Sequence, residues 1–73
     1  MERKNVESNM IKSIGYDPKN STLEAEFDSG AIWQYYGVSK SVYANLKRTS
    51  SVGIFFKSEI IDQFSDKKIN RGN

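Results

Sequence analysis

The chain has neither cysteine nor histidine among its 73 residues. Without cysteine there is no disulfide framework and no thiolate metal site. Without either residue, Ser-His, Cys-His and histidine–metal arrangements are all ruled out. Long apolar runs are absent too: none approaches the ~20 residues of a membrane span. The opening MERKNVESN lacks the apolar segment of a secretory leader. Acids are missing from one stretch, since residues 37–58 hold four bases and no carboxylate. These absences lead us to expect a cytoplasmic protein that is not an enzyme, with no cofactor, no metal and no membrane contact.

What is present is one small domain. A chain of this length buries only about 60% of its unfolded surface. Its stability must therefore rest on a few large side chains: Trp33, the four tyrosines, and Phe27, Phe55, Phe56 and Phe64. The net charge of +2 is unevenly spread. Residues 1–36 carry four bases against six acids, and residues 37–73 carry seven bases against three acids. Such asymmetry bears on partners and not on fold.

Residues 9–16 read as a first strand with Met10, Ile11 and Ile14 as its apolar members. Asp17-Pro18-Lys19-Asn20 has type I turn chemistry. Residues 22–27 alternate, with Leu23, Ala25 and Phe27 on one face and Thr22, Glu24 and Glu26 on the other. The loop Asp28-Ser29-Gly30 suits a type I turn closed by a left-handed glycine bulge. That loop sets Phe27 opposite Ala31, Ala25 opposite Trp33 and Leu23 opposite Tyr35. A two-residue loop would instead bury Gln34, which is costly unless that side chain is paired.

Ser39 has the character of a helix N-cap, with Val38 and Tyr43 at staple spacing. The run SKSVYANLKR then places Val42, Tyr43 and Leu46 on one stripe. After Thr49-Ser50-Ser51, in which Ser51 reads as a second cap, Phe56, Ile60 and Phe64 recur at helical spacing. The expected fold is α+β: a three-stranded antiparallel sheet followed by two helices packed on one face. We expect a single domain over residues 8–65, with loose segments at 1–7 and 66–73.

Read in order, these residues resemble the KTSC domain, a family named for its occurrence at the C-terminus of some lysyl-tRNA synthetases. The family also occurs as stand-alone bacterial and phage proteins. The resemblance covers roughly residues 6–64. It rests on Ser8, Ile11, Ile14-Gly15-Tyr16-Asp17, Leu23-x-Ala25-x-Phe27 and Gly30, then on Trp33-Gln34-Tyr35, Val38, Tyr43, Leu46, Ser51-x-Gly53-x-Phe55-Phe56 and Ile60. Trp33 stands where the family usually has tyrosine, Ser39 where proline is frequent, and Lys57 where asparagine is common. The resemblance implies the fold above, and RNA binding is suggested for the family by its synthetase context.

Three groups of side chains are candidates for a site. Glu24, Glu26 and Asp28 share a strand face at about 7 Å steps and have the oxygens a Mg²⁺ or Ca²⁺ would take. The ordinary reading of such a face is solvated carboxylates, and it is preferred. Trp33 and Tyr35, the central aromatic motif, have the shape of a base-stacking platform. The strand register turns them toward the helices instead, as core. Lys40, Lys47, Arg48 and Lys57 form a basic cluster interleaved with hydroxyls and Asn45. Solvated helix faces are the default reading, and the missing acids keep a phosphate-binding surface in play beside it.

The leading expectation is thus a binding module for RNA or another polyanion. Four engaged phosphates would give a log K against log salt slope near −3 for single strands. The alternative is a protein-interaction module, a homo-oligomer or a small inhibitor, using Ile32 and Tyr36 on the outer sheet face and the open sheet edges. A nucleotide-like ligand held in an oligomer pocket is a third possibility.

Overall fold

The computed structural model describes residues 1–70. Five antiparallel strands follow one another across the sheet in chain order: β1 (Lys4–Asn5), β2 (Ile11–Asp17), β3 (Thr22–Phe27), β4 (Ile32–Tyr36) and β5 (Ser65–Lys68). Between β4 and β5 the chain leaves the sheet for two helices, α1 (Lys40–Arg48) and α2 (Val52–Phe55). The second continues into a π-helical turn over Phe56–Ile60.

The α+β class and the two helices are as expected, but the strand count is five and not three. β1, and all of β5 except Ser65, lie in the segments expected to be loose. Lys4 and Asn5 pair with Ile14 and Ser13, while Ser65 to Lys68 pair with Tyr36 to Trp33. Asn70 extends the second edge: its amide accepts from Ile32 N at 2.8 Å and donates to Gly30 O at 2.9 Å. The rest of the expected C-terminal tail, residues 71–73, lies outside the described residues.

The β3–β4 register is the one the loop implies, with Leu23 opposite Tyr35 and Ala25 opposite Trp33. Gly30 has φ 95°, and its N–H donates to Phe27 O while Phe27 N donates to Ala31 O. This is a type I turn closed by a glycine bulge. In the preceding turn, Asp17 accepts from Lys19 N at 3.0 Å and from the Asn20 amide at 2.8 Å. The Asn20 bond, supported by the Lys19 and Asn20 backbone, holds the Asp17 carboxyl below its ordinary range.

Strand β2 departs from the expected pattern. Its pairing slips between Ile11 and Ser13, leaving Lys12 as the extra, exposed residue of a bulge. Ile11 and Ile14, three apart, would otherwise face opposite sides. The bulge lets both enter the core. There they meet Leu23, Ala25 and Tyr35 from the sheet, and Val38, Leu46, Phe56 and Ile60 from the helical layer. Phe56 is the keystone: Phe27 and Tyr35 pack edge-on to it with ring centroids 5.8 and 5.3 Å away.

Candidate nucleic-acid interface

Helix α1 begins where the Ser39 hydroxyl accepts from Val42 N at 3.3 Å, the capping expected of it. Ser51 differs: it occupies the cap position of α2, but its side chain accepts no capping bond. Along α1, Leu46 is buried and Val42 and Tyr43 are half-buried against the core. At 3.6 residues per turn, Lys40, Lys47 and Arg48 then fall within about 100° of one another, with Lys47 adjoining the Tyr43 edge of the apolar stripe. All three are exposed, as are Ser41 and Asn45. Lys47 and Arg48 close the last turn, where a cation is favoured by the helix dipole.

Two of these cations have intramolecular partners. Lys47 Nζ sits 5.0 Å from the centroid of the Tyr43 ring. Tyr43 in turn stacks on Tyr16 at 4.7 Å and 15°, and the Tyr16 hydroxyl donates to Val38 O at 2.6 Å. Burial raises the Tyr43 phenol above its usual pKa. Arg48 Nη2 donates to Asn45 Oδ1 at 2.7 Å. None of the four cations is in an ion pair: among the described residues the ion pairs are those of Arg3. Lys57 lies on the π-helical turn and not on α1. It lines a groove of about 770 Å³ between the β1–β2 connection and α2, together with Val6, Met10, Ser51, Gly53 and Ile54. Lys40, Lys47 and Arg48 do not line that groove.

Of the central aromatics, Tyr35 is 2% exposed and belongs to the core, and Trp33 is half-buried against it. The Tyr35 ring is thus enclosed, and one side of Trp33 is covered by the same core. Ile32 and Tyr36 lie on the outer sheet face and are half-buried. The large apolar side chain that projects furthest is Ile54, 70% exposed at the groove.

The carboxylate face was expected to be solvated, and here the structure corrects the sequence reading. Glu24 is only 5% exposed. Arg3, arriving ahead of β1, pairs with it, donates from Nε to Ser13 Oγ at 3.0 Å and places Nη2 3.9 Å from Glu26. Ser13 donates to Glu26 at 3.0 Å, Gln34 to Glu24 at 2.8 Å and Tyr36 to Gln34 at 3.0 Å. Arg3 and Glu24 are 21 residues apart, and no local pattern in the sequence marks the contact. Among the described residues no three acids gather as a metal site would require, and no helix is long and apolar enough to cross a membrane.

The profile of the KTSC domain matches residues 7–64. The chain belongs to the KTSC domain family. A crystal structure of a KTSC domain protein from Yersinia pestis superposes with a TM-score of 0.92 at 39% identity, covering 94% of this chain and 97% of that one. An uncharacterized protein of Stutzerimonas stutzeri is 39% identical over 56 residues, 77% of this chain and 79% of its own length. A lysine–tRNA ligase of Nostoc sp. is 36% identical over 64 residues. That match takes in 88% of this chain and 11% of the ligase, so the KTSC domain corresponds to a small part of the enzyme. Of the residues that carry the family resemblance, most are in the core or packed against it; Ser8, Ser51 and Gly53 instead meet at the groove.

Proposed function

We propose that this KTSC domain is a non-catalytic, cytoplasmic module that binds RNA or a similar polyanion through the exposed face of α1. The observation that carries the reading is the convergence of Lys40, Lys47 and Arg48 on that face. Ser41 and Asn45 stand beside them, and no acid occurs in the surrounding residues 37–58. The similarity to part of a lysine–tRNA ligase supports a nucleic-acid partner. Lys47 holds its charge over Tyr43 and Arg48 is steadied by Asn45, so both contribute as fixed charges, while Lys40 is exposed beside them. Phosphate contacts of this kind position a strand and carry little sequence information.

Three engaged phosphates on single-stranded RNA give a log K against log salt slope near −2. The slope is shallower than that of four phosphates because the proposed face is that of α1, and Lys57 lies on the π-helical turn. Fluorescence anisotropy with a labelled mixed-sequence RNA tests this. Raising salt from 50 to 200 mM should weaken binding roughly fifteen-fold. The doubly substituted Lys40→Glu/Arg48→Glu chain should lose most of its low-salt affinity while keeping its circular dichroism. A slope near zero, or affinity that survives both substitutions, overturns the reading.

One observation favours a second reading, a protein-interaction module: Ile54 projects beside Val6, Met10 and Val52 in the groove. If that surface self-associates, Ile54→Glu will lower the mass measured by light scattering. If Ile32 and Tyr36 mediate self-association instead, Ile32→Glu will do so.

A further inference from the structure

The outer sheet face holds a guanidinium site, and the chain fills it from its own N-terminal segment. The acceptors belong to the sheet proper: Ser13 on β2, and Glu24 and Glu26 on β3. Glu24 is nine-tenths buried, and its second oxygen is fixed by Gln34 from β4. The donor, Arg3, belongs to the segment that runs into β1. The backbone of that segment is seated as closely as its side chain. A Cβ on Gly15 would lie 2.4 Å from Glu2 O, so the chain passes directly over the one β2 residue that leaves it room.

The rest of the attachment is slight. β1 has two paired residues, Lys4 and Asn5, both exposed. Five residues connect β1 to β2. Within that connection Ser8 accepts from Met10 N and Ile11 N, which anchors its second half to β2. An arginine, a glycine seat and a two-residue register account for the hold, together with the bond from Val6 N to Lys12 O at 3.1 Å at the start of the connection, where Val6 packs on the core. None of the contacts of residues 2–5 requires that strand and seat belong to one molecule.

We propose that residues 2–5 are an exchangeable edge strand. The same segment of a second copy seats on β2 in trans, with its Arg3 entering the Ser13–Glu24–Glu26 site, and the exchange is reciprocal. The occupant is a second copy because this segment fits the Lys4–Ile14 and Asn5–Ser13 register, the charge of the site and the clearance at Gly15 together. Reciprocal exchange conserves every contact of the single chain apart from those of the hinge, the condition under which strand exchange yields closed two-fold dimers. This goes beyond the RNA-binding reading and does not rest on it.

The test is complementation between two full-length variants. Arg3→Ala keeps the acceptors and lacks the arginine; Glu24→Gln keeps the arginine and spoils the acceptor. Each alone should stay monomeric by native mass spectrometry. Their equimolar mixture, incubated at high concentration, should give a 1:1 heterodimer with one complete site. A mixture that stays monomeric while both variants keep the wild-type circular dichroism overturns the proposal. Dimerisation of Arg3→Ala by itself to the same extent also overturns it, since the interface then needs no arginine. Should Arg3→Ala fail to fold, Arg3→Lys replaces it, keeping the charge but losing the planar fork, with the same two outcomes. RNA is absent throughout, so either result leaves the α1 reading untouched.

Discussion

On the helix-facing side of the sheet, Ile14, Leu23, Ala25 and Tyr35 are buried by packing against Val38, Leu46, Phe56 and Ile60. On the other side of the same strands, Ser13, Thr22 and Glu24 are nearly as buried, and there the cover is Arg3, Gln34 and a strand of two paired residues. One side is held by apolar area, which is non-directional and tolerates substitutions that conserve volume. The other is held by a chain of hydrogen bonds that must be complete to be favourable at all. Among the described residues every buried side-chain nitrogen and oxygen has a partner, so the outer network meets that condition. A sheet of five short strands thus needs a second cover on its outer face, and the chain supplies one from its N-terminal segment.

The largest effect should come from emptying the inner side. Phe56 is fully buried and its ring meets both Phe27 and Tyr35. Truncating a buried phenylalanine costs about 3–5 kcal/mol, set against roughly 5–15 kcal/mol for a whole domain. Urea unfolding of Phe56→Ala should therefore show a chain largely unfolded or close to it. A loss below about 1 kcal/mol would mean that the apolar side is not the dominant one.

The outer side breaks differently. Gly15→Ala adds a single methyl, but it falls 2.4 Å from the backbone oxygen of Glu2, a group that can yield only by lifting residues 2–5 away. We expect about 1–3 kcal/mol, the range of a local overpacking. The damage should be confined: hydrogen exchange ought to accelerate at the β1 amides while β2, β3 and β4 keep their protection. Loss spread evenly over the sheet would show that the N-terminal segment is part of the cooperative core, and the contrast between the two sides would then fail.

That contrast also explains what the sequence makes legible. The β3–β4 register follows from a local loop, Asp28-Ser29-Gly30, whose glycine fixes both the turn and the faces of Trp33 and Tyr35. The basic face of α1 follows from helical periodicity, which needs no tertiary information. Strands β1 and β5 do not show in the sequence, because Lys4-Asn5 and Ser65-Asp66-Lys67-Lys68 carry no apolar alternation. Edge strands join through backbone bonds, and charged side chains there discourage further pairing. The inward turn of both Ile11 and Ile14 depends on a bulge at Lys12 that period-two reasoning cannot generate. That Lys57 lines the groove beside Val6 and Met10 depends on where α2 and the π turn settle, which is a tertiary outcome. Alternation assigned Glu24 to the outer face correctly; what covers it lies 21 residues away.

The smallest effect at neutral pH, and the one that probes the boundary between the two regions, concerns the Tyr35 hydroxyl. Burial, followed by the negative charges of Asp66 and Asp62, raises its pKa to about 12, against about 10 for an unfolded chain. Because the folded value is the higher one, folding favours the protonated phenol. Its contribution is fully present below pH ~10 and is lost as pH rises through about 12. Asp66 sits opposite Tyr35 on β5, so the shift also reports that this edge strand is in place. Tyr35→Phe should leave stability near neutrality almost unchanged and flatten the alkaline limb between those two values. Asp66→Asn should move the midpoint of that limb toward lower pH by a lesser amount, since burial is the larger cause. If the alkaline limb is the same in the wild type and in Tyr35→Phe, the hydroxyl is not held as the buried ring and the neighbouring carboxylates require. The β5 edge would then lie elsewhere, and the inner layer would end at β4.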